Sequence, residues 1–167
     1  MKKADLLIAH TQGVYNIKVQ GRANFECAPP LRNLANNLDK GFKRISIDLT
    51  GCSGMDSTFM GVLAMIGLHV RESGKVEIVN ADKENRHLLE GLGIEELFDF
   101  VNKDNNESDK DRKWVRPEEK SSQVDQAETV YSAHDTLVRV FDGNKAKFEK
   151  VVEFAKKDLD RLKKDEK

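Results

Sequence analysis

Cysteine is almost missing from this chain: two of its 167 residues, Cys27 and Cys52, with no CxxC or Cys/His spacing around them. That scarcity excludes a disulfide framework and a zinc pattern, and it suits a reducing compartment. An excess of either charge is missing too. The 28 Lys and Arg are balanced by 29 Asp and Glu, a net charge of −1. This excludes the broad basic footprint of a nucleic-acid binder and the acidic block of a charged tail. The longest charge-free apolar stretch, Thr58 to Leu68, falls far short of the ~20 residues of a membrane span. At the N-terminus the only apolar run is Leu6-Leu7-Ile8-Ala9, preceded by Asp5 and followed by no small-residue cleavage pattern. No signal peptide and no membrane insertion are therefore expected, and the location expected is the cytoplasm.

The length suits one domain with an extension, and the charges show where the division falls. Residues 1–100 carry 12 basic and 13 acidic side chains, whereas residues 101–167 carry 16 of each. The second part must be largely solvated. Between Asn102 and Gln123 the only large apolar residues are Trp114 and Val115, so residues 102–123 read as a polar linker or mobile loop. Trp114, between Arg112 and Arg116, is either an anchor for that linker or a ring at the solvent edge. The division expected is 1–101, 102–123 and 124–167.

Within the first part, Leu6–His10 and the β-branched Val14–Gln20 flank the turn residues Thr11-Gln12-Gly13, which predicts a hairpin. After Pro29-Pro30, Leu31, Leu34, Ala35 and Leu38 recur at helical spacing. Arg44–Leu49 alternates as a strand. Ser57–Arg71 is apolar around most of its circumference and reads as a buried helix, with Gly61, Ala64 and Gly67 permitting close approach by neighbours. Val76–Val79 is the next strand, Lys83–Glu90 a third helix, and Phe98–Val101 a last short strand. An α/β domain with a mixed sheet flanked by helices follows.

The segment with chemical content is Asp48 to Val62. A strand ends at Leu49, a glycine-containing loop follows, and a helix opens at Asp56-Ser57. Asp56 is a good N-cap, and Ser57 then lies at the positive end of the helix, where added negative charge is tolerated. On spacing alone, Asp56, Ser57 and Thr58 read more readily as plain capping residues, since polar residues at helix starts are the rule.

The run D-L-T-G-C-S-G-M-D-S-T-F-M-G-V, residues 48–62, resembles the signature D-L-S-G-x-x-x-[IM]-D-S-S-G-L-G-V of STAS domains, typified by bacterial anti-sigma factor antagonists. Leu88 to Gly93 with Leu97-Phe98 is similar to the family's closing pattern. Gly21-Arg22-Ala23-Asn24-Phe25 stands where the family has a G-R-L-D-x loop. The resemblance spans residues 5 to 101. It implies a STAS-like fold and a regulator switched by phosphorylation. Ser57 would be the acceptor, ahead of Thr58, for a serine-kinase anti-sigma factor, and a PP2C-type phosphatase would restore it. Gly54, Asp56, Ser57, Thr58, Phe59 and Asn24 would form the partner-binding loop. Phe59 replaces a glycine and Thr58 a serine of the signature; the ring either obstructs the usual kinase or packs inward. The resemblance equally admits an unphosphorylated adaptor or assembly subunit in transport or stress signalling.

Other chemistry is thin. His10, His69, His87 and His134 are dispersed, and they read as surface or satisfied-core residues with neither metal nor catalytic role. The pair Gly51 and Gly54 lacks the P-loop lysine, and Gly91 with Gly93 lacks the third glycine of a dinucleotide fingerprint. Cys52 has the setting of an exposed but unactivated thiol. No enzyme, metal or cofactor is expected.

In the extension, Val124, Ala127, Tyr131, His134, Val138 and Phe141 form a heptad seam, continued by Phe148, Val152, Ala155, Leu159 and Leu162. Gly143 suits a helix C′ position and Asn144 an N-cap, which gives an αα-hairpin. The seam keeps its phase across the break, so one long coiled-coil helix is also permitted. The stripe must be covered by the hairpin itself, by the STAS body, or by another chain, as in a homodimer.

Overall fold

A computed structural model describes residues 4–38, 41–104, 110–117 and 121–166. Strands β1 (Asp5–Thr11) and β2 (Val14–Ala23) form the hairpin. Its two turn residues, Gln12 and Gly13, both have positive φ, 49° and 84°, the geometry that twists a two-residue hairpin correctly. Helix α1 (Ala28–Asn36) carries prolines in its first turn. There follow β3 (Arg44–Met55), α2 (Ser57–His69), β4 (Val76–Val79), α3 (Lys83–Gly91), a 3-10 turn (Glu95–Leu97) and β5 (Phe98–Val101). The sheet order is β1-β2-β3-β4-β5, antiparallel between β1 and β2 and parallel elsewhere. The register aligns Ile8, Ile17, Ile47, Ile78 and Phe100 in one row across all five strands. Alternation in each strand thus becomes a single apolar face.

β3 departs from expectation. It does not end at Leu49 but runs on to Met55, pairing Gly51, Cys52, Gly54 and Met55 with Gln20, Gly21, Arg22 and Ala23 through two register shifts. The two glycines and short polar residues read as a loop, yet they belong to a bulged strand pair. Cys52 is buried, not exposed: its Sγ donates to the Gly54 carbonyl at 3.3 Å, and burial pushes its thiol pKa up.

The C-terminal segment forms two helices, α4 (Gln123–Val140) and α5 (Gly143–Asp165). The chain is extended at Phe141, which breaks the helix, so the single long coiled coil is excluded and the hairpin is observed. Ser122 and Asp125 form a reciprocal capping box at the start of α4. Glu128, near the start of α4, pairs with Lys163, near the end of α5, so the two helices run antiparallel. Gly143 is not a C′ residue but the first residue of α5, and the N-cap is Asp142, not Asn144. Asn144 is buried in the first turn of α5, and its amide donates to the carbonyls of Leu92 at 2.8 Å and Leu137 at 2.9 Å. In α5 the expected seam is the inward stripe: Ala155 and Leu159 are buried, and Phe148, Val152 and Leu162 half-buried. It is covered within the chain, by α4.

In α4 the expected seam is only partly inward: Ala127 and His134 are buried, Val124, Tyr131 and Val138 half-buried, and Phe141 lies beyond the helix and is exposed. Thr129, Ala133, Thr136 and Leu137 are buried as well, and Ala133 and Leu137 join the core formed by the sheet, α1, α2 and α3. A Cβ added at Gly61 of α2 would lie 2.5 Å from the Ala133 carbonyl oxygen, so these helices meet backbone to backbone. Arg32 of α1 reaches Glu128 of α4 at 3.7 Å.

Of the segment read as a linker, residues 105–109 and 118–120 lie outside the described residues. Val115 makes an isolated bridge to β1, where it exchanges backbone hydrogen bonds of 2.9 and 2.8 Å with Ile8. Arg116 pairs with Asp5 at 3.2 Å. Trp114 docks under the Lys18 ammonium, 4.9 Å from the ring centroid. Among the described residues no helix is long and apolar enough to cross a membrane.

Candidate functional site at the start of α2

The site is built where β3 passes into α2 with a single residue between them. Asp56 is extended there and uses both carboxylate oxygens: Oδ1 accepts from the Phe59 N–H and Oδ2 from the Phe25 N–H, each at 2.8 Å. Its own N–H donates to the Ala23 carbonyl at 2.9 Å. One side chain therefore caps α2 and holds the turn after β2. Such a cap stabilises a helix by about 1 kcal/mol. Asn24 shapes the same turn: its Oδ1 accepts from the Glu26 N–H at 3.0 Å, an Asx turn.

The six residues expected to form one loop separate by depth. Asp56 and Ser57 are half-buried, whereas Thr58, Phe59 and Gly54 are buried. Phe59 packs inward with none of its surface exposed, as part of the core shared by the sheet and the helices. Gly54 lies within β3, where an added Cβ would meet the Arg22 guanidinium at 3.2 Å. Asn24 remains on the turn beside Asp56 but has no direct bond to Ser57 among the contacts described.

Ser57 has a partner that sequence reasoning missed. Its Oγ lies 2.8 Å from Nε2 of His134 on α4, 77 positions away. The other ring nitrogen, Nδ1, lies 2.8 Å from the Val130 carbonyl. A carbonyl only accepts, so Nδ1 carries the hydrogen. Burial lowers the pKa of His134, which favours the neutral ring. Nε2 is then an acceptor, and the Ser57 hydroxyl donates to it. Phe148 of α5 holds the ring edge-to-face, with centroids 5.2 Å apart. The available signal was the position of His134 on an otherwise apolar seam, where a polar ring needs partners. Nothing local said which partner.

Chemically the arrangement is a serine at a helix N-terminus, flanked by one carboxylate and bonded to a neutral imidazole. Where hydrolytic triads orient their histidine with a carboxylate, this one has a backbone carbonyl. Among the described residues no group of three or more His, Cys, Asp or Glu is placed to hold a metal ion.

Comparison with known proteins bears on this site. The family model described as STAS domain matches residues 6–108, which include all of the sheet but its first residue, α1 to α3 and the Asp56–Ser57 junction. A comparison with curated proteins gives no match. Among solved structures, the anti-sigma factor antagonist SpoIIAA in its unphosphorylated form is similar at 14% identity and a TM-score of 0.46. That similarity covers 65% of this chain and 94% of the other.

Proposed function

The chain belongs to the STAS domain family, and from that premise we propose that it is a protein-binding regulator of the anti-sigma factor antagonist type, switched by phosphorylation of Ser57. Its partners in this reading are a serine-kinase anti-sigma factor and a PP2C-type phosphatase, and its role is binding, not catalysis. The observation that carries the reading is the contrast at the start of α2. Ser57 is half-buried beside the capping carboxylate of Asp56, while Thr58 is 5% exposed and turned into the core. Ser57 is thus the acceptor and Thr58 the poorer alternative.

Phosphorylation adds roughly −1.5 to −2 charges. The free N–H groups at the start of a helix favour such charge. Next to Asp56, however, a partner surface fitted to a neutral hydroxyl meets repulsion and a desolvation cost. A loss of ~3 kcal/mol weakens binding about a hundredfold. The test is phosphosite mapping of the chain purified from its native cell, with pull-downs of wild type, Ser57→Ala and Ser57→Asp. Modification at Ser57 and loss of the partner only in Ser57→Asp are expected. A phosphosite elsewhere, or equal capture by Ser57→Asp, overturns the reading.

One observation favours a second reading, an unphosphorylated adaptor or assembly subunit that works through the C-terminal helices. On the side of α5 away from its seam, Phe154 is 69% exposed, a large apolar surface for contact with a partner or a second copy. Under this reading Phe154→Glu lowers the mass measured by light scattering. An unchanged mass removes self-association through that face.

A further inference from the structure

The Ser57–His134 hydrogen bond joins the start of α2 to the middle of α4, and only an unmodified hydroxyl can make it. At 2.8 Å the Oγ and Nε2 atoms leave no room for a phosphoryl group between them. Once esterified, Oγ has no proton to donate. The side chain would also place a dianion next to the Asp56 carboxylate and against His134, which is 4% exposed. Both repulsion and desolvation oppose that placement. The strain falls at a tight place. Ala133, the residue before His134, is the one that approaches Gly61 backbone to backbone, and Phe148 seats the same imidazole from α5. A helix so closely packed moves as a unit and does not deform locally.

We propose that His134 couples the state of Ser57 to the packing of the C-terminal hairpin: the free hydroxyl holds α4 against α2, and a phosphoryl group at Ser57 releases it. The inference rests on the reading of Ser57 as the acceptor. It adds that the modification is read inside the same chain as well as at a partner surface. In this arrangement α4 and α5 report the state of Ser57 to the outer face that carries Phe154.

The experiment needs no kinase. Phosphoserine is encoded at position 57 of the full-length chain by amber suppression, and amide hydrogen exchange is followed over residues 128–138 by mass spectrometry. Exchange there should rise at least about fivefold over the unmodified chain, the scale of losing one hydrogen-bonded contact. His134→Ala without modification should reproduce the rise, and phosphoserine added to His134→Ala should raise it little further. Should the phosphoserine chain fail to fold, Ser57→Asp is measured in the same way. Unchanged or greater protection of α4 overturns the coupling while leaving Ser57 free to be the acceptor. A native phosphosite elsewhere defeats the acceptor reading without altering the exchange result, so the two failures are distinguishable.

Discussion

Gly61 and Ala133 are the point at which the STAS sheet-and-helix body and the C-terminal hairpin touch without side chains between them. A Cβ on Gly61 would come within 2.5 Å of the Ala133 carbonyl oxygen and 2.6 Å of its Cβ. The obstacle is backbone, which cannot rotate aside. Gly61→Ala should therefore destabilise the chain by about 1–3 kcal/mol, the range for overpacking a filled core. Urea denaturation checks this through a lowered midpoint at unchanged slope. A midpoint equal to wild type would mean that α4 sits further from α2 than described.

Asn144 ties the hairpin turn to the end of α3 through its bonds to the Leu92 and Leu137 carbonyls. Asn144→Ala leaves both carbonyls unpaired in a buried place. The expected loss is about 2–3 kcal/mol, read from thermal melting. A shift within error of zero would show that water replaces the amide at no cost.

His134 makes stability depend on pH with a definite sign. Its pKa is lowered in the folded chain by burial and returns to the ordinary ~6.5 on unfolding. Between those two values the unfolded state binds more protons, so stability rises with pH. The contribution is complete above about pH 6.5 and is lost as pH falls through the folded-state pKa, by at most about 1.4 kcal/mol per pH unit. Melts at pH 7.5 and pH 5.5 should show a larger acid loss in wild type than in His134→Gln. Equal losses in both would remove His134 as the source.

Residues 1–101 are proposed as the folding unit, with 124–167 appended. Because Ala133 and Leu137 belong to the same core, a chain ending at residue 101 should fold with lowered stability. The expected deficit is about 2–5 kcal/mol, the scale of emptying one large buried site. Circular dichroism and a denaturant titration measure it. A fragment without a cooperative transition would place the boundary beyond α4.

Much of this architecture is legible in the sequence because its signals act over a few residues. Alternation marks β4 and β5 with the bounds observed, the turn residues Gln12 and Gly13 join the first hairpin, and Asp56 starts α2. The heptad phase identifies the inward stripe of α5 but permits both a hairpin and one long helix. Three features were decided only by tertiary structure. The run Thr50–Met55 looks like a loop and becomes strand because β2 offers it a bulged ladder, a pairing with no local signature. α4 buries Ala133 and Leu137, which lie off the expected seam, because it is packed on two sides, by α5 and by α2, whereas periodicity reveals one seam. Ser57, whose chemistry the local sequence suggests, is bonded to His134 across 77 positions. Local propensity sets the capped starts of α2, α3 and α4, but only the docking of α4 on α2 brings a hydroxyl and an imidazole within hydrogen-bonding distance.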